Sequence, residues 1–246
     1  MEHLKTAVLA MILLVSPLFS AATPSENEPE AASFGAEADF NTRYIWHGQR
    51  YSGGSVLQPS AWVSARGLTA TFWSNIEIAR DLNEVNAIFE YPFEINKISI
   101  DPSVSYYNYF NQPDGGSTIE AAFKISRPLS SEFSLYTSHN FYFLNEDYGD
   151  SYFGGLGVDY GTDLTEKLKL SVSPFAAAGS VKYNRENFGY AGWAFDLVSA
   201  DVSLEYAIAA GWYLKPHFTY SFITDNKLME KDRGNVSSGI ALGAEF

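Results

Sequence analysis

Hydrophobic and polar residues alternate with a period of two along most of the chain after residue 33. The first such segment, residues 34–40, carries its phenylalanines and alanines in one phase and its two carboxylates in the other. Because successive side chains of a β-strand point to opposite faces, this alternation predicts strands with one apolar and one polar face. The 3.6-residue period of amphipathic helices is almost missing, so the pattern predicts an all-β fold.

Twelve alternating segments follow one another, and the connections between them alternate in length. The segments start near residues 34, 57, 68, 85, 98, 119, 133, 152, 168, 198, 212 and 240. Counted from the N-terminus, the even-numbered connections between segments are mostly tight. The odd-numbered connections are rich in Gly, Asn and Asp and mostly long. Short turns on one side, longer loops on the other and an even strand number are typical of outer-membrane barrels. We therefore predict one closed, up-and-down antiparallel transmembrane β-barrel of about twelve strands over residues 34–246.

A soluble β-sandwich is the alternative, because its strands also have one apolar and one polar face. It gives no reason for loop lengths to alternate. Many of the segments have ten residues or more, near the nine to eleven that a tilted transmembrane strand needs. Apolar-face aromatics near the segment ends resemble the interfacial girdles of membrane barrels; these are Trp46, Phe93, Phe110, Phe133, Trp212 and Phe222. The barrel is the favoured interpretation.

The two ends of the chain carry separate signals. Lys5 starts a stretch whose apolar run and small residues before position 23 predict a cleaved signal peptide over residues 1–22. Residues 23–33 are acidic and contain proline, and we expect a mobile N-terminal tail there. An exported barrel is expected in the outer membrane of a Gram-negative-type bacterium. Ile240, Leu242 and Phe246 share the apolar phase, and we interpret them as the signal that the barrel-assembly machinery recognises.

Composition and charge exclude several kinds of partner and site. The formal net charge is −13 and the chain contains no cysteine. Nucleic acid is a poor partner for so acidic a chain, and the lack of thiols excludes disulfides, thiol catalysis and cysteine metal sites. No phosphate loop, zinc motif or nucleotide fingerprint is present, so we expect neither a cofactor nor a dedicated metal site. The acidic loop 145–150 lacks the full spacing of a calcium motif. We expect a solvated outer loop, and divalent-ion bridging to lipopolysaccharide stays open.

If the apolar phase faces lipid, the polar phase lines the lumen. The charged residues that this places in the pore are Glu37, Asp39, Arg43, Arg66, Glu77, Glu90, Asp101, Glu120, Lys124, Asp159, Lys167, Lys169, Asp201, Glu205 and Lys215. Acidic residues outnumber basic ones in this set, which predicts a mildly cation-preferring channel. The same charges also suit ion-pair networks that brace a closed wall, and twelve strands give an interior of intermediate width.

Two short aromatic motifs are Tyr44-Ile45-Trp46-His47-Gly48-Gln49, around the first hairpin, and Phe72-Trp73-Ser74-Asn75. Through these motifs the chain resembles the TorF-like family of outer-membrane porins. His47 stands where the family pattern has arginine, and the second motif is one residue tighter than the usual form. The resemblance covers most of the chain after the signal peptide and implies a porin-like function.

Three functions remain open. The favoured one is a porin-like channel for passive diffusion of small hydrophilic solutes, without enzymatic activity, in contact with outer-membrane lipids and lipopolysaccharide. The second is a closed structural or ligand-binding barrel without conductance. The third is a barrel-embedded lipid hydrolase, which needs a Ser–His pair oriented by a further polar group. His139 is its candidate base, but the residue two positions on is Phe141, so we expect His139 to lie at the interface rim.

Overall fold

A computed structural model describes residues 32–79, 82–110, 116–143 and 150–246. The expected signal peptide and the tail as far as residue 31 lie outside these residues, as do positions 145–149 of the acidic loop. None of the helices in the described ranges has the length and apolar character needed to cross a membrane.

Within the described residues, twelve long strands form one antiparallel sheet. Their bounds are β1 Ser33–Asn41, β2 Val56–Ala65, β3 Leu68–Glu77, β4 Leu82–Glu90, β5 Ile98–Tyr109, β6 Ser117–Pro128, β7 Phe133–Phe143, β8 Ser151–Thr165, β9 Leu168–Gly179, β10 Ala194–Ala209, β11 Trp212–Ile223 and β12 Gly234–Glu245. Each strand pairs with its sequence neighbours, and β12 pairs with β1, so the sheet closes on itself. The predicted twelve-stranded up-and-down barrel is confirmed.

Tight turns lie at one end of the barrel, which we call the turn end. Examples are Arg66-Gly67, with φ of 54° and 78°, and Asn96-Lys97, with φ of 52° and 65°. Positive φ at both central residues suits the twist of a two-residue hairpin connection. The opposite end, which we call the loop end, carries the longer segments 42–55, 180–193 and 224–233.

Four short elements supplement the barrel in the part of the chain that the structure describes. Ile45–Trp46 pairs with Gln49–Arg50 in a small hairpin at the loop end, and Phe93–Ile95 pairs with the start of β5. Helix α1, Val181–Phe188, was not anticipated from the sequence pattern. Its N-cap, Ser180, accepts a hydrogen bond from the Tyr183 amide, which satisfies one of the free donors of the first turn.

The outer face of the barrel is apolar and exposed. Phe34 and Phe72 are each 56% exposed, and Leu156 on the far side of the barrel is 51% exposed. An apolar belt around a closed sheet is the surface that a hydrocarbon environment requires. Trp46 does not belong to this belt: β1 ends at Asn41, and the ring of Trp46 lies inside, 6.1 Å from Tyr142. Its interpretation as a girdle residue was wrong because the chain bends inward after β1.

Candidate functional site: the barrel interior

Directly paired residues share a face of the sheet, so the registers define the inner wall. On that wall the structure places most of the predicted pore residues, namely Glu37, Asp39, Glu77, Glu90, Asp101, Glu120, Lys124, Asp159, Lys169, Asp201, Glu205 and Lys215. Arg43, Arg66 and Lys167 lie in connections, because the strands end before them. Three lysines therefore face the carboxylates of the wall.

Two buried inner-wall residues are absent from the predicted pore set. The pattern predicts that β4 starts at Val85, which leaves out Glu84, and the set contains only charged residues, which leaves out Asn86. The strand begins at Leu82, so Glu84 and Asn86 share the inward phase of Glu90. Glu84 is 3% exposed and Asn86 is 4% exposed. The period-2 spacing of positions 84, 86 and 90 was the available signal. A register shift between Asn75 and Ile76 on β3 accompanies the start of the strand.

One group of polar contacts spans the seam between β11, β12 and β1. Lys215 Nζ and the Tyr213 hydroxyl both donate to Glu37 Oε2 at 2.7 Å. Next to them, His217 Nε2 lies 2.8 Å from Asp39 Oδ1. These side chains reach across β12 because its inner positions at this level are Gly239, Ala241 and Gly243. A Cβ at Gly239 would collide with the His217 ring and with the Asn41 side chain.

The network continues around the wall from Asn41. The Asn41 amide donates to Asp39 at 2.8 Å and to Gln58 at 3.1 Å. Gln58 donates to Asn75 at 2.9 Å, and Asn75 donates to Asn83 at 2.7 Å. Four adjacent strands are thereby joined by neutral amides and one carboxylate. Satisfied polar networks of this kind rigidify the wall that carries them.

A second group lies on the opposite wall, across β6 to β9. Lys124 Nζ is 2.6 Å from Asp159 Oδ2 and 4.1 Å from the centroid of the Tyr136 ring. Ser173 donates to the same carboxylate. The Tyr136 ring stacks against Phe175, with centroids 5.8 Å apart and planes 8° apart. Lys124 is therefore engaged within the wall by both an anion and an aromatic face.

The loop end of the interior is filled by three segments that we call the plug: residues 44–51, 181–190 and 224–229. The ring of His47 is stacked between Trp46 and Phe153, 3.9 Å from each centroid, and its Nδ1 lies 2.8 Å from the Tyr183 hydroxyl. Burial lowers the pKa of His47 to about 3, because a charged imidazole would be desolvated there. The imidazole is therefore neutral at physiological pH.

The plug packs against inward-facing apolar side chains of the wall. Tyr183 of α1 is fully buried and lies in one cluster with Tyr142, Phe153, Ala177, Ala194, Leu197, Ile223 and Leu228. Two polar clamps hold segment 44–51 and its neighbours. Glu77 accepts hydrogen bonds from the amides of Gly53 and Gly54 at 3.0 and 3.1 Å, and Asn235 donates to the Gly48 carbonyl at 2.7 Å.

The turn end of the interior is open by comparison. A cavity of about 490 Å³ is lined by Thr69, Glu90, Pro92, Asp101, Ser103, Glu120, Ala122, Phe123, Lys124, Ser138 and Asn140. A second cavity of about 700 Å³ lies beside the 130–134 turn and reaches Asp159, Lys169 and Ser173. Most of the residues that line the two cavities have hydroxyl, amide or charged side chains, and we call this half of the interior the vestibule.

The remaining candidates lie elsewhere. His139 is on the outer face, where its Nδ1 lies 2.9 Å from the Tyr152 hydroxyl and its ring stacks on Phe123 at 4.8 Å. No serine is among the hydrogen-bond partners that the described residues provide for it. Of the acidic loop, the structure describes Asp150 alone, with a φ of 64°. The described residues contain no group of three or more His, Asp or Glu arranged to hold a metal ion.

Similarity to solved structures extends over nearly the whole barrel. The NanC porin is 13% identical, with 86% of this chain and 98% of that chain covered and a TM-score of 0.52. An outer-membrane channel from Pseudomonas putida F1 is 11% identical, with 92% of this chain and all of that chain covered and a TM-score of 0.50. These likenesses show the fold of an outer-membrane channel barrel.

No family model and no curated protein matches the chain. The resemblance to the TorF-like family therefore stays an interpretation of the two aromatic motifs.

Proposed function

We propose that the protein is an outer-membrane channel for passive diffusion of small hydrophilic solutes. The observation that carries the proposal is the inverted polarity of the barrel. Side chains such as Phe72 are exposed on the outside, whereas Glu37, Asp39 and Lys215 lie on the inside. A closed sheet satisfies its own backbone hydrogen bonds and can therefore cross a hydrocarbon layer, and a polar interior serves water-soluble molecules. The channel fold of the solved relatives supports this function.

In this proposal the turn end faces the periplasm and the loop end faces the medium, the usual arrangement of such barrels. Export would use the signal peptide at residues 1–22. Outer-membrane lipids, lipopolysaccharide and the barrel-assembly machinery are the proposed partners, the last through Ile240, Leu242 and Phe246. The outer rings of Phe34 and Phe246 lie 5.9 Å apart at the seam, so Phe246 is also packed into the closed wall.

The proposed mild preference for cations rests on the charge of the inner wall. Lys124, Lys169 and Lys215 are outnumbered by the wall's carboxylates, and two of these lysines form ion pairs with Asp159 and Glu37. Arg43, Arg66 and Lys167 lie in connections, so the wall is more acidic than the alternating pattern predicts. A negative, low-dielectric passage concentrates cations and repels anions.

A closed barrel without conductance is the second candidate, and the plug favours it. His47, Tyr183 and Phe153 form continuous aromatic contacts across the loop end. Both candidates are reconciled if the plug opens. It is made of connecting segments rather than barrel strands, so it can move without breaking the hydrogen bonds between the barrel strands. We propose that the plug is the gate of the channel.

Planar-bilayer recording on the refolded full barrel tests the proposal. We expect brief, low-probability openings at neutral pH and longer openings when the plug is weakened. A permanently silent barrel, both with and without the plug contacts, would leave only the structural role. The measurement needs a control with a substitution on the outer face, and Tyr206, which is 45% exposed, offers a suitable position.

A further inference from the structure

Inner-wall strands β4 and β6, which lie on either side of β5, carry carboxylates at three levels between the turn end and the plug. Along the inward positions of β5, Ser103 pairs with Glu90, Ser105 pairs with Glu120, and Tyr109 pairs with Glu84. Two residues of strand advance about 7 Å. Glu90, Glu120 and Glu84 thus rise from the turn end toward the plug, and we call them, together with Asn86, the acidic ladder. Asn86 occupies the level between Glu120 and Glu84, opposite Tyr107.

The two upper carboxylates are buried and lack a basic partner among the described residues. Glu84 is 3% exposed and accepts hydrogen bonds from the Asn86 amide at 2.9 Å and from the Tyr44 hydroxyl of the plug. Glu120 is 7% exposed and accepts hydrogen bonds from the Tyr107 hydroxyl at 3.2 Å and from the Tyr142 hydroxyl. Burying a carboxylate without a cation is costly, and a carboxylate has room for several more donors. A bound cation would offset that cost.

Asn86 provides the second observation. Its side chain is buried, its amide nitrogen donates to Glu84, and the described residues provide no hydrogen-bond partner for its carbonyl oxygen Oδ1. A buried acceptor left unpaired costs about 1–3 kcal/mol. Asn86 lies on the inner wall between the levels of Glu120 and Glu84, so a donor group of a ligand bound at that height would satisfy Oδ1.

Aromatic rings and a cavity complete the setting. The rings of Tyr107 and Tyr109 are stacked, with centroids 6.5 Å apart and planes 5° apart. The lower part of the ladder is accessible, because the 490 Å³ cavity is lined by both Glu90 and Glu120. Lys124 lines the same cavity, but it is paired with Asp159. Aromatic faces attract ammonium groups and accept aliphatic spacers, which a bare metal ion does not have.

From these observations we propose that the acidic ladder is a binding site for linear aliphatic oligoamines that enter from the turn end. Three carboxylates and the Asn86 carbonyl lie at successive inward levels along β5, and this series of acceptors matches ammonium groups separated by short methylene spacers. The Asn86 carbonyl accepts a hydrogen bond from an intermediate amino group, and the tyrosine rings contact the spacers. The inference deepens the proposed channel function, because the ladder would select the solute that passes. In that respect it rests on the proposed function.

Isothermal titration of the full barrel in detergent with spermidine tests the ladder directly, without requiring conduction. We expect spermidine to bind more tightly than 1,5-diaminopentane, and the neutral 1,5-pentanediol not to bind. The double variant E84Q/E120Q should weaken spermidine binding at least tenfold, about 1.4 kcal/mol. The matched control is E205Q, which removes the same charge from an inward position on β10 and should change the affinity by less than twofold.

Four results would overturn the inference. The first is an unchanged spermidine affinity in E84Q/E120Q, and the second is a loss of affinity in E205Q as large as in E84Q/E120Q. The third is binding of 1,5-pentanediol as tight as that of spermidine. The fourth is that potassium chloride, at matched ionic strength, displaces spermidine equally from the parent barrel and from E84Q/E120Q. Glutamine keeps the shape of glutamate and removes the buried charge, so the double variant should melt no lower than the parent barrel. Spermidine binding to a barrel that never conducts would refute the channel and leave the ladder standing. A conducting barrel whose spermidine binding does not depend on the ladder would refute the ladder and leave the channel function standing.

Discussion

At the loop end of the barrel, inward-facing side chains pack against one another, whereas at the turn end they face cavities. Tyr183 is fully buried and Phe153 is 1% exposed, but Glu90 near the turn end is exposed. The same wall therefore closes at one end and stays hydrated at the other. The difference arises in the connections: tight turns have no residues to fold inward, and long loops do.

The two halves also use different interactions. The plug is held by aromatic stacking and hydrophobic burial, with Glu77 and Asn235 as polar clamps at its edge. The turn end is held by ion pairs such as Lys124–Asp159, whose side chains are more than a third exposed. Exposed ion pairs contribute little to stability, whereas buried aromatic rings contribute much. The plug should consequently respond to truncation of apolar groups, and the vestibule to changes of charge.

Truncating a plug ring gives the largest expected effect. Tyr183→Ala removes a fully buried ring and the hydroxyl that meets His47, which should weaken the plug by about 3–5 kcal/mol. We expect a large rise in open probability in bilayer recordings, with the barrel still folded by circular dichroism. Tyr206→Ala on the outer face is the control and should leave gating unchanged. Equal gating in both variants would contradict the division of the interior into two halves.

The boundary between the halves can be tested at Gly239. A Cβ there would displace His217 from Asp39 and disturb Asn41, so Gly239→Ala should destabilise the barrel by about 1–3 kcal/mol. Gly161→Ala is the matched control, because its Cβ would meet only the Lys169 side chain at 3.7 Å. Thermal melting followed by β-sheet circular dichroism measures both. Equal melting temperatures would show that the seam tolerates the added methyl group and that the network there is loose.

Lowering the pH should loosen the plug through His47. The pKa of this histidine is about 3 in the plugged state and near 6.5 when the residue is released. Because the plugged state holds the proton less tightly, the plug is most stable above pH 6.5 and loses stability as the pH falls toward 3. At pH 5 the loss amounts to at most about 2 kcal/mol.

The measurement is the open probability at pH 7 and pH 5, with His47→Gln as the comparison. The parent barrel should open more often at pH 5, and the variant should show a much smaller change. If both respond equally to acid, groups other than His47 control the plug.

Much of this architecture follows from the period-2 pattern, which needs no knowledge of partners. The inward phase of Glu37, Asp101 and Asp201 follows from counting alone, since each residue along a strand changes face. The plug does not follow from the period-2 pattern. Trp46 continues the alternation of β1 in the sequence, and only its contacts with His47 and Tyr142 show that the chain has bent inward. The inward location of Trp46 is determined by tertiary burial, which a local sequence pattern does not encode.

Charge at the turn end gives the smallest expected effect, and it tests the hydrated half by itself. Glu90 and Asp101 line the cavity at the mouth and contribute little to the plug. E90Q/D101N should therefore shift the reversal potential under a salt gradient modestly toward anions, because a less negative mouth concentrates fewer cations. Raising the ionic strength should reduce the shift, since exposed charges are screened over about 10 Å at 0.1 M salt. Glu132→Gln in an exposed turn is the control. A change in gating rather than selectivity would mean that the two halves are coupled, because a mouth substitution would then reach the plug.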